Sequence, residues 1–221
     1  MNILLLGPPG AGKGTQGERI AEQLGVPKVA TGDVLRAAVR EGTGMGLAAK
    51  GFMDRGALVP DDVILGIVKE ALAAPAMSHG VILDGVVRTV PQAEGLNRVF
   101  ADLGRSLDCV LMFDIADDEV VRRLGGRTVC EKCQTPYTGK APGDPCPKPG
   151  CDGRLVRRKD DEPEAIRTRM RAYREQTEPV VAWYRADGTP FAQIDAVGEV
   201  DAVTARVSEA LAQCRNGENG G

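Results

Sequence analysis

The apolar run at residues 2–6 breaks at once into Gly7-Pro-Pro-Gly-Ala-Gly12-Lys13-Gly14-Thr15, and a helical pattern begins at Lys13. No other stretch constrains the fold as much. A short, continuous apolar run fits a strand buried on both faces. A glycine-rich turn from strand into helix is the setting that the G-x-x-x-x-G-K motif needs. Glycines let backbone N–H groups turn inward around phosphate oxygens, and a helix N-terminus adds partial positive charge. Gly10, Ala11, Gly12, Lys13, Gly14 and Thr15 are therefore the candidate phosphate cradle, with Lys13 expected to reach the terminal phosphates. Gly14 stands where Ser or Thr usually follows the lysine, and the hydroxyl arrives one residue later on Thr15.

Beyond the loop, short apolar runs ending in Gly or Asp alternate with helical patterns, the rhythm of a parallel sheet wrapped by helices. Strands are expected at residues 2–6, 28–30, 81–83, 109–114 and 191–194. Helices are expected at 13–24, 32–40, 46–55, 61–74, 90–103, 117–124, 162–184 and 200–213. Gly25 would close the first helix, and Pro163 suits the first turn of the seventh. A chain of 221 residues suits one domain with insertions better than two independent domains. Residues 127–159 break the rhythm, being rich in Cys, Pro and Gly with almost no apolar periodicity, and read as an inserted module. The polar residues 215–221 read as a disordered tail.

A formal charge of −3 gives no global pull toward nucleic acid or anionic lipid, so an anionic ligand has to be met by locally placed Arg and Lys. The basic run 154–159 is short and lacks interleaved aromatics, so no nucleic-acid partner is expected. The early apolar run is far too short for a signal or membrane segment, which points to a cytoplasmic protein without a membrane partner. Asp84 ends the run 81–83 and puts a carboxylate at a strand's C-terminal edge, where it could hold Mg2+ through water beside the phosphates.

Cys130-x-x-Cys133 and Cys146-x4-Cys151 form two knuckles separated by twelve residues, a tetrathiolate signal for tetrahedral Zn2+. Four ligands leave no open position, so the metal is expected to be structural and to replace a core that so polar a segment cannot build. Cys109 reads as a buried hydrophobe and Cys214 as a bystander, both thiols reduced; His79 is given no role.

Taken in order, Gly7 to Thr15, Thr31-Gly32-Asp33-Val34-Leu35-Arg36, Asp84-Gly85-x-x-Arg88-Thr89 and Arg158-Lys159-Asp160-Asp161 resemble the long-lid bacterial adenylate kinases over residues 1 to 214. The resemblance implies an α/β fold of the P-loop NTPase type: a parallel five-stranded sheet flanked by helices, an inserted helical AMP domain and a zinc-ribbon-like lid. Residues 1–29, 60–121 and 160–214 would form the core, 30–59 the AMP domain and 122–159 the lid. It also implies a monomer that moves a phosphoryl group reversibly from MgATP to AMP, giving two ADP. Thr31, Arg36, Arg88 and Gln92 resemble the AMP contacts, with Met53, Val59 and Gly85 supplying backbone or packing. Arg123 and Arg127 resemble the ATP-side arginines at the base of the lid, and Arg158 and Arg169 the pair that reaches the transferring phosphoryl group, both also counted among the AMP-binding residues. Lys13, Arg88, Arg123, Arg158 and Arg169 would then be catalytic, because a phosphoryl group in flight spreads negative charge that cationic forks neutralise.

One motif departs from the family. Arg88 is normally preceded by Phe-Pro, with the Pro commonly after a cis bond, whereas this chain has Val86-Val87. A cis bond before a residue other than proline costs about 2.5–4 kcal/mol, so the bond either becomes trans and re-aims Arg88 or the fold absorbs strain. Weaker AMP binding than in Phe-Pro relatives is expected. A UMP/CMP kinase is the nearest rival, although Thr31 and Thr89 stand where those enzymes tend to carry Ala and Asn. A nucleotide-binding regulator with reduced turnover is the rival from outside catalysis, and a zinc-ribbon nucleic-acid adaptor is a third.

Overall fold

The computed structural model describes residues 1–216. In chain order it runs β1 (Asn2–Leu6), α1 (Lys13–Leu24), β2 (Lys28–Ala30), α2 (Thr31–Glu41), α3 (Gly44–Asp54), α4 (Asp61–Ala73), β3 (Val81–Asp84), α5 (Val90–Asp102), β4 (Cys109–Asp114) and α6 (Asp117–Gly125). It continues through β5 (Arg127–Cys130), β6 (Pro136–Thr138), β7 (Leu155–Val156), α7 (Pro163–Ala172), α8 (Glu178–Asp187), β8 (Phe191–Asp195) and α9 (Val200–Asn216). Residues 215 and 216, expected in a disordered tail, close α9, while 217–221 lie outside the described residues.

β1, β2, β3, β4 and β8 form one parallel sheet in the order β2-β3-β1-β4-β8. Side chains alternate across it. Leu4 and Leu6 join Val68, Leu96 and Tyr184 on one face, while Ile3 and Leu5 join Ile20, Val207 and Leu211 on the other. Burial on both faces is why β1 reads as an unbroken apolar run. The first helix ends where expected, at Gly25 with φ 64°. No helix among the described residues is long and apolar enough to cross a membrane.

Two readings change, and the cysteine-rich insert gains detail. The helix expected over 162–184 is interrupted by a π-helical turn at Tyr173–Thr177. Pro179 sits in the first turn of α8 and has no N–H for the carbonyl of Glu175, so the ladder has to widen there. The cysteine-rich insert is an antiparallel sheet, β6-β5-β7, whose small interior is made by Cys130, Cys146 and Leu155 with Tyr137, Cys133 and Cys151 against them. Cys109 and Cys214 are neither lone hydrophobe nor bystander: they form a disulfide that ties α9 to β4. Their separation of 105 residues hid the pairing from any local pattern.

A native disulfide typically stabilises a fold by about 2–4 kcal/mol, or roughly 4–16 °C for a chain of this size. Oxidised Cys214→Ser protein should melt lower than oxidised wild type by that margin in calorimetry. Equal melting temperatures would remove the cross-link from the account.

Candidate active site

Register assembles the site. Leu5 on β1 and Ala30 on β2 both stand opposite Asp84 on β3, so the glycine-rich loop, Thr31 and Gly85 leave the sheet at one edge. Thr31 is buried, and its hydroxyl donates to the Gly85 carbonyl at 2.9 Å. Gly7 has φ 133°, and a Cβ there would lie 2.4 Å from the Phe113 carbonyl oxygen on β4, so only glycine lets the loop start this close to the sheet. A Cβ on Gly14 would stand 3.4 Å from Asp84 Oδ2, which puts that carboxylate beside the first turn of α1. Lys13 folds back on its own loop, its ammonium donating to the carbonyls of Gly7 and Pro8 at 2.8 Å each. Burial pushes its pKa down to about 8, against the pull of Asp84.

A cavity of about 940 Å³ opens from this edge, and every nucleotide-side residue expected from the sequence lines it. The phosphate loop and Asp84 line it together with Thr31, Arg36, Met53, Val59, Gly85, Arg88 and Gln92 and with Arg123, Arg127, Arg158 and Arg169. The cations are crowded. Burial lowers the Arg88 guanidinium to about 10, with Arg169 as the next cause, and lowers Arg158 to about 10, with Arg36 as the next cause. Two carboxylates that the sequence reading assigned no role hold part of this charge. Asp161, 1% exposed, accepts from Arg127 Nε at 2.7 Å and Nη2 at 2.5 Å, and from Arg169 at 2.9 Å. Asp160 lies 3.3 Å from Arg169. Arg123 is held by Glu119 at 2.7 Å and by the Ala196 carbonyl at 3.0 Å. Among the described residues, the Nε atoms of Arg36 and Arg158 are buried without a hydrogen-bond partner.

The Val86-Val87 segment is buried, and no cis bond occurs among the described residues, so the peptide before Val87 is trans. Arg88 still reaches the cavity. Its N–H donates to Gln92 Oε1 at 2.7 Å, its Nε donates to the Gly85 carbonyl at 3.3 Å, and its carbonyl accepts from Thr177 Oγ1 at 2.9 Å. Thr177 ends the π-helical turn. In the sequence it is only one residue of the helix expected over 162–184.

In the β6-β5-β7 sheet region, the four thiol sulfurs of Cys130, Cys133, Cys146 and Cys151 lie within 4.8 Å of one another, with 3.6 Å between Cys130 and Cys151 and between Cys133 and Cys146. Four sulfurs at zinc-thiolate distance span tetrahedral edges of about 3.8 Å, so the cage fits a zinc-sized ion despite the longer second knuckle. Tyr137 Oη lies 3.4 Å from Cys146 Sγ, and the tyrosine also lines the cavity.

Comparison with known proteins agrees with this geometry. The family model described as adenylate kinase matches residues 5–189. A protein named adenylate kinase from Gemmatimonas aurantiaca is 64% identical over 211 residues, covering 96% of this chain and 99% of its own. Proteins of the same name from Syntrophotalea carbinolica and Geobacter sp. are 46% and 45% identical, each matched over 96% of this chain and at least 98% of their own length.

Reduced protein loaded with Co2+ should show a thiolate-to-cobalt charge-transfer band, and Cys146→Ser should weaken it and lower the melting temperature of the metal-loaded protein. Absence of the band in wild type would rule out a four-thiolate metal centre.

Proposed function

The chain belongs to the adenylate kinase family, and from that premise we propose how its residues divide the work of moving the terminal phosphoryl group of MgATP to AMP to give two ADP. The carrying observation is the crowd of cations around one cavity, with Arg36 Nε and Arg158 Nε buried and unpartnered. Phosphate oxygens supply the missing acceptors. In this reading Gly10 to Thr15 cradle the ATP phosphates, and Lys13 exchanges the carbonyls of Gly7 and Pro8 for them. Arg123 and Arg127 meet ATP; Arg36 and Arg88 meet the AMP phosphate; Arg158 and Arg169 face the group in transit. Thr31, Met53, Val59, Gly85 and Gln92 form the AMP pocket.

The carboxylate of Asp84 beside Gly14 suits Mg2+ held through water, which is how that ion is commonly bound next to nucleotide phosphates. Bound there, Mg2+ would neutralise charge on the β and γ phosphates. Attack by an AMP phosphate oxygen forms the new P–O bond as the bond to the ADP leaving oxygen breaks, and the electron pair stays on ADP. Positioning and charge neutralisation suffice for this, with no covalent enzyme intermediate. Water has to be excluded, or ATP is hydrolysed instead. We assign that exclusion to residues 30–59 as an AMP domain and 122–159 as a lid, since both segments contribute walls to the cavity. Cys130, Cys133, Cys146 and Cys151 would hold Zn2+ that stiffens the lid without joining the chemistry. The protein would work as a monomer, because one chain supplies the whole cavity, and in the cytoplasm, where the Cys109–Cys214 pair would be reduced to two thiols.

A coupled assay should show ADP forming from ATP plus AMP and not from ATP alone, with UMP and CMP poor acceptors; ATP loss without a monophosphate would contradict the assignment. Val86→Phe with Val87→Pro should lower the KM for AMP, and an unchanged KM together with unchanged turnover would show that the Val-Val segment is neutral. Lys13 also sets a pH dependence. A base lowered to about 8 carries its charge below that pH and loses it above. The KM for MgATP should therefore rise about tenfold between pH 7 and pH 9, whereas kcat at saturating nucleotide should hold to higher pH because bound phosphate favours the ammonium. A flat KM profile would remove Lys13 from ATP binding.

A further inference from the structure

Gln92 is 1% exposed, and its amide makes two bonds that fix which end is which. Oε1 accepts from the Arg88 backbone N–H at 2.7 Å, and Nε2 donates to Asp61 Oδ1 at 2.7 Å. A backbone N–H only donates and a carboxylate only accepts, so the reversed amide would set donor against donor and acceptor against acceptor. Asp61 is itself fixed. It is the first residue of α4, and its Oδ2 accepts from the Thr89 hydroxyl at 3.1 Å. That same hydroxyl caps α5 by accepting from the Gln92 N–H at 3.2 Å. Thr89 thus acts on Gln92 twice, through the helix cap and through Asp61.

An amide with one bond at each end still has one Nε2 hydrogen and one Oε1 lone pair to offer. Gln92 lines the cavity, so those are available to a ligand base. We propose that Asp61 is a positioning residue for base choice: by holding the Gln92 amide in one orientation, it presents a donor beside an acceptor that matches adenine and mismatches hypoxanthine or guanine. Adenine offers an acceptor at N1 beside a donor at its exocyclic amine. The 6-oxopurines offer the reverse, a donor at N1 beside an acceptor at O6. Losing the Asp61 bond removes one of the two restraints on the amide and lets it turn toward the 6-oxopurine pattern. The inference rests on the reading that AMP occupies the Gln92 side of the cavity.

The test compares wild type, Asp61→Ala and Asp61→Asn, with dissociation constants for AMP and IMP, the KM for MgATP and the melting temperature. The expected result for Asp61→Ala is a fall of roughly tenfold in the preference for AMP over IMP, the size of one lost buried hydrogen bond, with the KM for MgATP unchanged. Asp61→Asn keeps an acceptor for Gln92 and the same volume, so it should fall between the two and serves if the alanine variant does not fold. An unchanged preference, or equal losses for AMP and IMP, overturns the proposal, because a merely structural role would weaken both monophosphates alike. Failure of wild type to make ADP from AMP would instead overturn the reading on which the proposal rests.

Discussion

Like charges gathered in a poorly solvated cavity repel one another, and most of the site answers that single constraint. Lys13, Arg36, Arg88, Arg158 and Arg169 face a common space, and burial holds Lys13, Arg88, Arg158 and Arg169 below their usual pKa values. Asp161 neutralises part of the charge by bridging Arg127 and Arg169, and Glu119 steadies Arg123. Lys13 spends its hydrogens on loop carbonyls. What remains unmatched is the pair of buried guanidinium Nε atoms on Arg36 and Arg158. A fold that keeps such groups in place is organised around anions that come and go. In the function proposed above, phosphate esters provide them, and their negative charge spreads further as the phosphoryl group leaves one oxygen for another.

The parts legible in the sequence were those whose signal is local. Strand, glycine-rich turn and helix follow one another from Asn2 to Leu24, so the phosphate loop could be read without knowing the fold. The cysteine spacing likewise fixed the four sulfurs that cluster in the structure. Helix boundaries shifted by a residue or two where caps decide them, as at Thr43, whose hydroxyl accepts from the Gly46 N–H.

Long-range pairings were not legible. The Cys109–Cys214 bond, the bridge from Asp161 to Arg127 and the bond from Asp61 to Gln92 join residues far apart in sequence, which meet because α9 packs on β4, β5 pairs with β7 and α4 packs on α5. Thr177 was visible as a helical residue, yet its contact with the Arg88 carbonyl exists because the π-helical turn ahead of Pro179 changes the helix phase. The trans bond at Val86-Val87 shows the complementary lesson. Arg88 lines the cavity without a preceding proline, its N–H donating to Gln92 and its carbonyl accepting from Thr177.

Arg158→Lys separates charge from guanidinium chemistry, because it keeps the positive charge and removes the guanidinium Nε. If the Arg158 guanidinium, whose buried Nε has no partner, serves the phosphoryl group in transit, kcat for ATP plus AMP should fall by about a hundredfold while the KM of each nucleotide changes little. A variant that keeps wild-type kcat, or one whose whole loss appears in KM, would show that the cation cluster only binds the nucleotides.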